Sequence, residues 1–528
     1  MDSYDLLIVN GLVVTASDIG HYDIAIKDEK IALLAPTGSL TELNAKHVID
    51  AEGGYVMVRV FAFHSSVITN THDLFSQAGS TPTSTSKSRP YLAKAEAQIL
   101  MRRVYHPVPF QPKYQQLNIT TGTRSAVCGG TTTVITFAPQ SKADTSLLTV
   151  LRDTHKKAEG NCYTDYSFHL LVGNPTTSAL GEFPALREEG ISSLKIYMTY
   201  EALQLRDNQI LDVLLEARKN GITTMIHAEN GDVVAWMSDQ LEARGLFAPK
   251  YHATSRPQLL ETEATYRAIV LSELIDTPIL IVHVSSPSAA KHIRDAQTRG
   301  LPIYAETCPQ YLFLTRNDLD KEGFEGAKCV CSPPPREGPE DHEAIWRGLQ
   351  NGTFTVLSSD HCPFVYEDAE YGKKSVISEE YPRGRFRYIP NGCPGIETRL
   401  PLVLSEDRLA LTKFVEVTST NAAKLYGLYP QKGALLPGLS DADLVIWYPQ
   451  GRLGELEVRN EFLHHNVDYT PYEGRVVGNW PRYTILRGKV VWERDGGGLV
   501  GEKGGRFLRR GISEMGGRRV GEWDVEAF

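Results

Sequence analysis

The feature that most limits the possible folds of this chain is a regular alternation of short apolar runs and helical stretches between residues 119 and 360. Residues 133–138 are typical of a strand and residues 147–158 of a helix, and the same change of pattern repeats along the segment. Strands favour β-branched residues, whereas helices bury one face of a 3.6-residue repeat. Repeated strand–helix units predict an α/β fold with a parallel sheet. So many units in one segment favour a closed (β/α)8 TIM-like barrel.

Strand-like sequence returns on both sides of this segment. Residues 5–55 contain several alternating runs, and Asn10-Gly11 predicts a hairpin turn between the first two. Similar runs with glycine-rich turns lie between residues 443 and 492. We therefore predict that the two termini combine into one small β-sandwich domain. The predicted divisions are 1–57 and 425–500 for the sandwich, 119–424 for the barrel, 58–118 for an aberrant insertion replacing the first barrel strand, and 501–528 for a C-terminal tail.

Composition argues against several classes of function. The 528 residues carry a formal net charge of −9 and a pI near 6.0, which gives no support for binding to nucleic acid or a membrane surface. The acidic N-terminus lacks the basic region of a signal peptide, and no apolar run approaches the ~20 residues of a membrane span. Seven scattered cysteines do not suggest a disulfide framework. We expect a globular protein in a reducing compartment, the cytoplasm.

A lysine interrupts one apolar run, residues 193–200. A buried ammonium is costly, so Lys195 must be paired, neutralised or modified, unless it lies near a strand end and reaches water. His227, His283 and Asp360 also fall at or near the ends of predicted strands. In a β/α barrel these ends meet at one face, where catalytic residues lie. Imidazole and carboxylate side chains gathered there indicate a metal site.

An ordered set of motifs runs through the same segments. The motifs are TGTRSAVCGGTTT from Thr121, SLKIYMTY from Ser193, IHAENG from Ile226, RPQ from Arg256, HVS from His283, AETCPQY from Ala305, CSPPPR from Cys331, SDHCPF from Ser359, IPNG from Ile389 and NVDYTPYEG from Asn466. Together they resemble the dihydropyrimidinase/hydantoinase family of cyclic amidohydrolases, over about residues 4–57 and 119–510.

The resemblance implies a fold and an activity. The fold is the barrel with a β-sandwich built from both termini. The activity is metal-dependent hydrolysis of the cyclic amide of dihydropyrimidines or hydantoins to N-carbamoyl amino acids, in a homotetramer. The partner is then a small cyclic amide or ureide.

The resemblance also implies site residues. Lys195 would be carbamylated by CO₂ and bridge two zinc ions, which removes the buried ammonium. His227 and His283 would bind one zinc, and Asp360 would bind the other and transfer a proton. Tyr200 would donate a hydrogen bond to the developing oxyanion. Backbone groups around Ser332 and Asn391 would hold the edge of the cyclic imide or ureide.

The sequence departs from the family at the first barrel strand. The family carries a His-x-His metal-binding pair there, and this chain has no His-x-His anywhere. Counting forward from Gly54 places His64 on the first histidine and Ser66 on the second, so His64 is the remaining candidate ligand. Counting back from Thr121 instead brings His106 near the second position, with Val104 at the first.

Residues 58–118 are aperiodic and about forty residues longer than the resemblance requires, and three explanations remain. In the first, the segment is an error in predicting the gene, such as a translated intron, within an active enzyme. In the second, the chain is a non-catalytic dihydropyrimidinase-related scaffold with an incomplete metal site. In the third, the chain is a related amidohydrolase acting on a different ring.

Overall fold

A computed structural model describes residues 3–58, 61–64 and 118–515, with only the backbone described for 61–64. Residues 59–60 and 65–117, most of the segment predicted to be an aberrant insertion, lie outside the described residues. So do the last residues of the predicted tail, 516–528.

Five strands open the chain and belong to a β domain: β1 Tyr4–Val14, β2 Ile19–Lys27, β3 Lys30–Pro36, β4 Ala45–Asp50 and β5 Tyr55–Val58. The predicted hairpin turn at Asn10-Gly11 is wrong, because both residues lie inside β1. Asn10 adopts φ 58°, and the register of β1 against β2 shifts between Ile8 and Gly11. The Asn10 N–H donates to Asp23 Oδ1 at 3.0 Å. A left-handed residue held in this way makes a β-bulge instead of a chain reversal.

Eight parallel strands form a second sheet: β6 Phe61–His64, β7 Thr133–Pro139, β8 Asp165–Leu171, β9 Ser193–Tyr197, β10 Thr223–His227, β11 Ile279–Ile281, β12 Ile303–Thr307 and β13 Val356–Leu357. Neighbours in space follow chain order from β6 to β13. The π-helical residues Glu416–Thr420 contact both outer strands, β6 and β13. The predicted barrel is confirmed, and its first strand is β6.

Helices connect and cover these strands: α1 Ile119–Cys128, α2 Leu147–Ala158, α3 Thr177–Leu180, α4 Phe183–Glu188, α5 Asp207–Lys219, α6 Gly231–Glu242, α7 Tyr251–Ser255, α8 Gln258–Ile275, α9 Pro287–Thr298, α10 Gln310–Phe313, α11 Pro339–Gln350, α12 Arg399–Ser405, α13 Leu411–Val415 and α14 Asn421–Leu425. Their ends follow ordinary capping rules. Ser286 caps α9 through its side chain, with Pro287 in the first turn. Within the described part of the chain, no helix is long and apolar enough to cross a membrane.

The chain then returns to the β domain with β14 Leu444–Trp447, β17 Pro481–Leu486, β18 Lys489–Glu493 and β19 Gly498–Leu499. Between β14 and β17, β15 Leu456–Glu457 and β16 Val476–Val477 form a separate two-stranded sheet. Antiparallel pairing of β14 with β5 joins both ends of the chain in one nine-stranded sheet. The prediction that both termini build the side domain is confirmed. Residues 501–515 of the predicted tail pack on the barrel, where the Arg510 guanidinium is buried and bonds Ser167 and Ser193.

Candidate active site

Lys195 lies inside β9 with only 2% of its surface exposed. Its ammonium is 5.0 Å from the centroid of the Tyr197 ring and 5.8 Å from that of Phe137. Burial lowers the pKa of Lys195 to about 8, although the carboxylates of Asp360 and Glu306 act in the opposite direction. The expectation of a buried lysine is therefore met, and the alternative of a lysine that reaches water is wrong.

His227 ends β10, and His283 follows β11 by two residues. Both are buried, and their ring centroids are 4.4 Å apart. Burial, the Lys195 ammonium and other nearby groups lower the pKa of both imidazoles, so both are neutral at pH 7. The Nε2 of His227 lies 2.7 Å from the Glu229 carboxylate, to which a neutral ring donates. Nδ1 of His227 is then the nitrogen that can bind a metal.

Two acceptor atoms near this pair lack partners. The buried Nδ1 of His283 and the buried Oε2 of Glu306 have no hydrogen-bond partner among the described residues. A buried polar atom without a partner carries a free-energy penalty, which a ligand can remove. Two imidazoles with nearby carboxylates are a donor set that fits a zinc-type metal. The donor chemistry of these residues therefore suits a metal ion.

Asp360 follows β13 and has a left-handed backbone, with φ 41°. The neighbouring His361 is fully buried, and its Nδ1 accepts hydrogen bonds from the N–H groups of Gly395 at 2.9 Å and Ile396 at 3.3 Å. These hydrogen bonds hold the segment after β13 in place. The Asp360 carboxylate raises the pKa of Lys195, which shows that the two side chains lie near each other.

Tyr200 brings the predicted substrate residues together. Its hydroxyl accepts a hydrogen bond from Nδ2 of Asn391 at 3.2 Å, and the Ser332 side chain bonds the same hydroxyl. The Tyr200 ring lies edge-on to His227, with centroids 5.5 Å apart. Burial raises the pKa of Tyr200, opposed by the Arg256 guanidinium 5.3 Å from the ring centroid. The phenol therefore stays protonated at neutral pH and can donate.

Sequence reasoning assigned no role to Glu306, although it lies in the Ala305-Glu306-Thr307 motif on β12. Its carboxylate interacts with the backbone of His283 and the side chain of Ser358, and burial raises its pKa to about 8. A charged residue within an apolar strand is the sequence feature that indicates a special role for Glu306. Glu306 joins the loops that carry His283 and Asp360.

The sequence pattern does not identify Glu229 either, because this residue stands out only as part of the motif that follows the strand-end histidine. It is 1% exposed and accepts hydrogen bonds from Arg256 at 2.8 Å and from His227. This arrangement orients the His227 ring and carries the negative charge that pairs with Arg256.

His64, the remaining sequence candidate for the first strand, is the last residue of β6, which pairs with β7. Its side chain lies outside the described residues, as do Ser66, Val104 and His106. Its role as a ligand stays a prediction.

A second group of donors lies apart from these strand ends. Atoms of Cys128, Glu397 and His464 lie within 4.8 Å of one another. The carboxylate of Glu397 already accepts hydrogen bonds from Ser125 at 2.9 Å and from Nδ1 of His464 at 2.8 Å. We interpret this group as a hydrogen-bonded junction between α1 and the C-terminal segments.

Comparison with known proteins gives a consistent result. Residues 91–491 match the Amidohydrolase family. A D-hydantoinase of Ralstonia pickettii is 38% identical over 513 residues, covering 96% of this chain and 99% of that protein. A solved D-hydantoinase structure has a TM-score of 0.82 and 37% identity, covering 97% of this chain and all of the other. The dihydropyrimidinase of Brevibacillus agri NCHU1002 has a TM-score of 0.81 and 36% identity, covering 96% and 98%. The chain belongs to the amidohydrolase family, among the D-hydantoinases and dihydropyrimidinases.

Proposed function

We propose that this protein hydrolyses the cyclic amide bond of hydantoins or dihydropyrimidines and releases N-carbamoyl amino acids. The observation that carries the proposal is the meeting of Tyr200, Asn391 and Ser332 beside the His227–His283 pair. It combines a hydrogen-bond donor, substrate-binding groups and metal donors in one barrel end. The names of the D-hydantoinase relatives support the choice of ring.

The metal we propose is zinc. His227 and His283 would hold it through imidazole nitrogen, and Asp360 and carbamylated Lys195 would complete a site for a second ion together with His64. When bound, zinc polarises the scissile carbonyl and lowers the pKa of a water. The carbamate would replace a cation that burial disfavours by an anion, whose charge bound metal would neutralise beside Asp360 and Glu306.

The chain's own groups would supply the remaining steps. Tyr200 would donate its phenolic hydrogen to the oxygen of the attacked carbonyl, where negative charge develops. Asp360 would accept the proton of the attacking water and pass it to the leaving ring nitrogen. Oδ1 of Asn391, buried and without a partner among the described residues, would accept a ring N–H. Ser332 would bind the opposite side of the ureide edge.

The missing His-x-His pair favours one alternative, a catalytically inactive scaffold of the same fold. A related hydrolase for another ring is the third reading. Both are distinguished from the main proposal by measurement of bound metal and turnover on the same sample.

The test is metal analysis of purified protein combined with ring-opening assays on dihydrouracil and a 5-substituted hydantoin. About two zinc ions per chain with turnover supports the proposal. The matched variants are His283→Asn, which removes a proposed ligand, and His292→Asn, which changes a histidine on helix α9. Only the first should abolish turnover. A folded protein with neither metal nor turnover would contradict the proposal and support the scaffold.

Two further properties are proposed from the family resemblance, a homotetrameric assembly and a cytoplasmic location. Light scattering of the purified protein tests the first, and a monomeric mass would contradict it. Fractionation of the source cells tests the second. Sequencing of the transcript across codons 55–120 decides whether residues 58–118 are encoded as written.

A further inference from the structure

A histidine that the proposed mechanism does not use lies directly beside the Ser332 segment. His252 belongs to the short helix α7 and is 2% exposed. Its Nε2 lies 2.9 Å from the carbonyl oxygen of Cys331 and 3.3 Å from the Ser332 hydroxyl oxygen. A carbonyl oxygen can only accept a hydrogen bond, so Nε2 carries the hydrogen and donates it. These contacts join α7 to the segment that carries a proposed substrate group.

The His252 ring holds this segment without bringing a charge to it. Burial, followed by the Arg256 guanidinium, lowers the pKa of His252 to about 3, although the hydrogen bond to Cys331 acts in the opposite direction. The ring is therefore neutral at pH 7, and its single hydrogen is on Nε2. The Ser332 oxygen that shares this nitrogen is then an acceptor too, so the hydroxyl hydrogen of Ser332 points elsewhere.

The contact also sets the direction of a backbone donor. The Cys331–Ser332 peptide is trans, and in a planar trans peptide the C=O and N–H bonds point in opposite directions. Because the imidazole holds the carbonyl, the Ser332 N–H points away from His252. No other described residue accepts a hydrogen bond from this N–H. It is thus available to a carbonyl oxygen of a bound ring.

The residue that follows α7 connects the same helix to the proposed metal donors. The Arg256 guanidinium pairs with the Glu229 carboxylate at 2.8 Å, and that carboxylate accepts a hydrogen bond from His227. The Arg256 carbonyl accepts a hydrogen bond at 2.7 Å from Arg336, four residues beyond Ser332. Helix α7 and Arg256 therefore link the proposed substrate group to the proposed metal donors through buried contacts.

We propose that His252 is a positioning residue for ring opening: its Nε2–H holds the Cys331 carbonyl and so directs the Ser332 N–H and hydroxyl towards the edge of the substrate ring. This role rests on the proposed function, and the imidazole itself touches no reacting atom. A group that holds the ring edge alike before and during bond cleavage contributes uniform binding, so its loss raises KM more than it lowers kcat. A purely structural histidine would change stability and leave KM unaltered.

Steady-state kinetics of the metal-loaded protein on dihydrouracil and a 5-substituted hydantoin tests this difference. His252→Phe keeps a planar ring without a donor. We expect its KM to rise roughly 3- to 10-fold, the effect of one hydrogen bond, while kcat per folded chain changes by less than about 3-fold. His252→Gln should keep a KM near that of wild type, because its amide nitrogen can take the place of the ring Nε2.

The matched control is His342→Phe. His342 lies on α11, and its Nε2 also donates to a backbone carbonyl, that of Leu314 at 2.8 Å. This substitution should leave KM unchanged. If His252→Phe fails to fold, His252→Asn replaces it, because the shorter amide does not reach the Cys331 carbonyl. A rise of KM in His252→Gln or His342→Phe as large as in His252→Phe overturns the proposal.

Hydrogen–deuterium exchange of the same proteins measures the position of the segment without any reaction. The peptide that contains residues 329–338 should exchange roughly 3- to 10-fold faster in His252→Phe than in the wild type, His252→Gln or His342→Phe. A wild-type protein that opens no ring contradicts the proposed function, and exchange then decides whether His252 holds the Ser332 segment. An unchanged KM overturns the proposal in an active protein, and unchanged exchange overturns it in an inactive one.

Discussion

Two lysines are almost completely buried in different surroundings, and the contrast separates a position that we propose to be catalytic from a structural one. Lys195 lies between aromatic rings, with an ammonium whose pKa burial lowers to about 8. Lys432 lies among three carboxylates, at 2.7 Å from Asp443, 2.8 Å from Asp165 and 3.1 Å from Asp441. Burial acts against its charge too, but these carboxylates outweigh it and raise its pKa.

The two positions also differ along the barrel. Asp165 is the first residue of β8, so Lys432 joins the amino end of the barrel to the β domain that holds Asp441 and Asp443. Lys195 lies beside His227, the last residue of β10. In β/α barrels the carboxyl end carries catalysis and the other end carries stability. Carboxylates outweigh burial at the structural lysine, whereas burial outweighs the effect of Asp360 and Glu306 at the lysine that we propose to be functional.

The largest effect should follow Lys195→Ala. It removes the proposed metal bridge, and a metal contributes several kcal/mol to such a reaction, so turnover should fall by roughly 10³-fold or more. Bound metal should fall in parallel, by elemental analysis. The urea midpoint, compared in excess chelator so that bound metal does not contribute, should stay the same or rise because a buried ammonium that burial disfavours is gone. Lys291→Ala, on an exposed face of α9, is the control. If Lys195→Ala keeps its metal and its turnover, Lys195 has no role in the reaction and the proposed contrast with Lys432 is wrong.

Lys432→Met should instead destabilise the fold. Asp443 loses its cation, whereas Asp165 keeps Arg487 and Asp441 keeps Lys30. Breaking a buried charge group from one side costs about 3–5 kcal/mol. Urea unfolding measures this loss. Lys291→Met, in an exposed pair with Asp295, should cost about 1 kcal/mol or less. Turnover per folded molecule should not change, and a large loss of turnover at unchanged stability would reverse the assignment of the two lysines.

Tyr200→Phe tests whether the Tyr200 hydroxyl, beside His227, acts in the reaction. Loss of one donor to a developing oxyanion costs about 10²–10³-fold in kcat, with a smaller change in KM. Steady-state kinetics on the ring substrate measures both constants. Tyr266→Phe, on an exposed ring of α8, is the matched control. Equal effects of the two substitutions would exclude a special role for the Tyr200 hydroxyl.

The sequence predicts the functional lysine better than the structural one. Lys195, His227, His283 and Asp360 each follow or lie in a strand, and barrel topology brings strand ends together. Their motif set also specifies the family. Lys432 lies outside any regular element, and its partners are 267 residues away at Asp165 and 11 away at Asp443. No local sequence pattern predicts these ion pairs, because they depend on how the β domain packs against the barrel.

Other limits have the same origin. The Asn10-Gly11 pair is typical of a hairpin, but Asp23 from the next strand holds the Asn10 N–H and converts the turn into a bulge. Glu306 has no periodic signature either, since its partners lie after β11 and β13. Contacts between distant segments decide both cases, whereas strand and helix positions followed from local periodicity.

The smallest effect concerns the alkaline stability that Lys432 contributes. Its pKa is raised above 10.5, so the folded protein keeps this proton to higher pH than the unfolded chain. The stabilisation is therefore fully present below about pH 10.5 and is lost as pH rises through the folded pKa. The difference in unfolding free energy between wild type and Lys432→Met should stay constant from about pH 8 to 10, then shrink by at most about 1.4 kcal/mol per pH unit. Urea unfolding of both proteins across this range measures the difference, which cancels the titration of groups that they share. A difference that grows above pH 10.5 would mean that Lys432 is not held as a cation by its carboxylates, and the contrast with Lys195 would then rest on position alone.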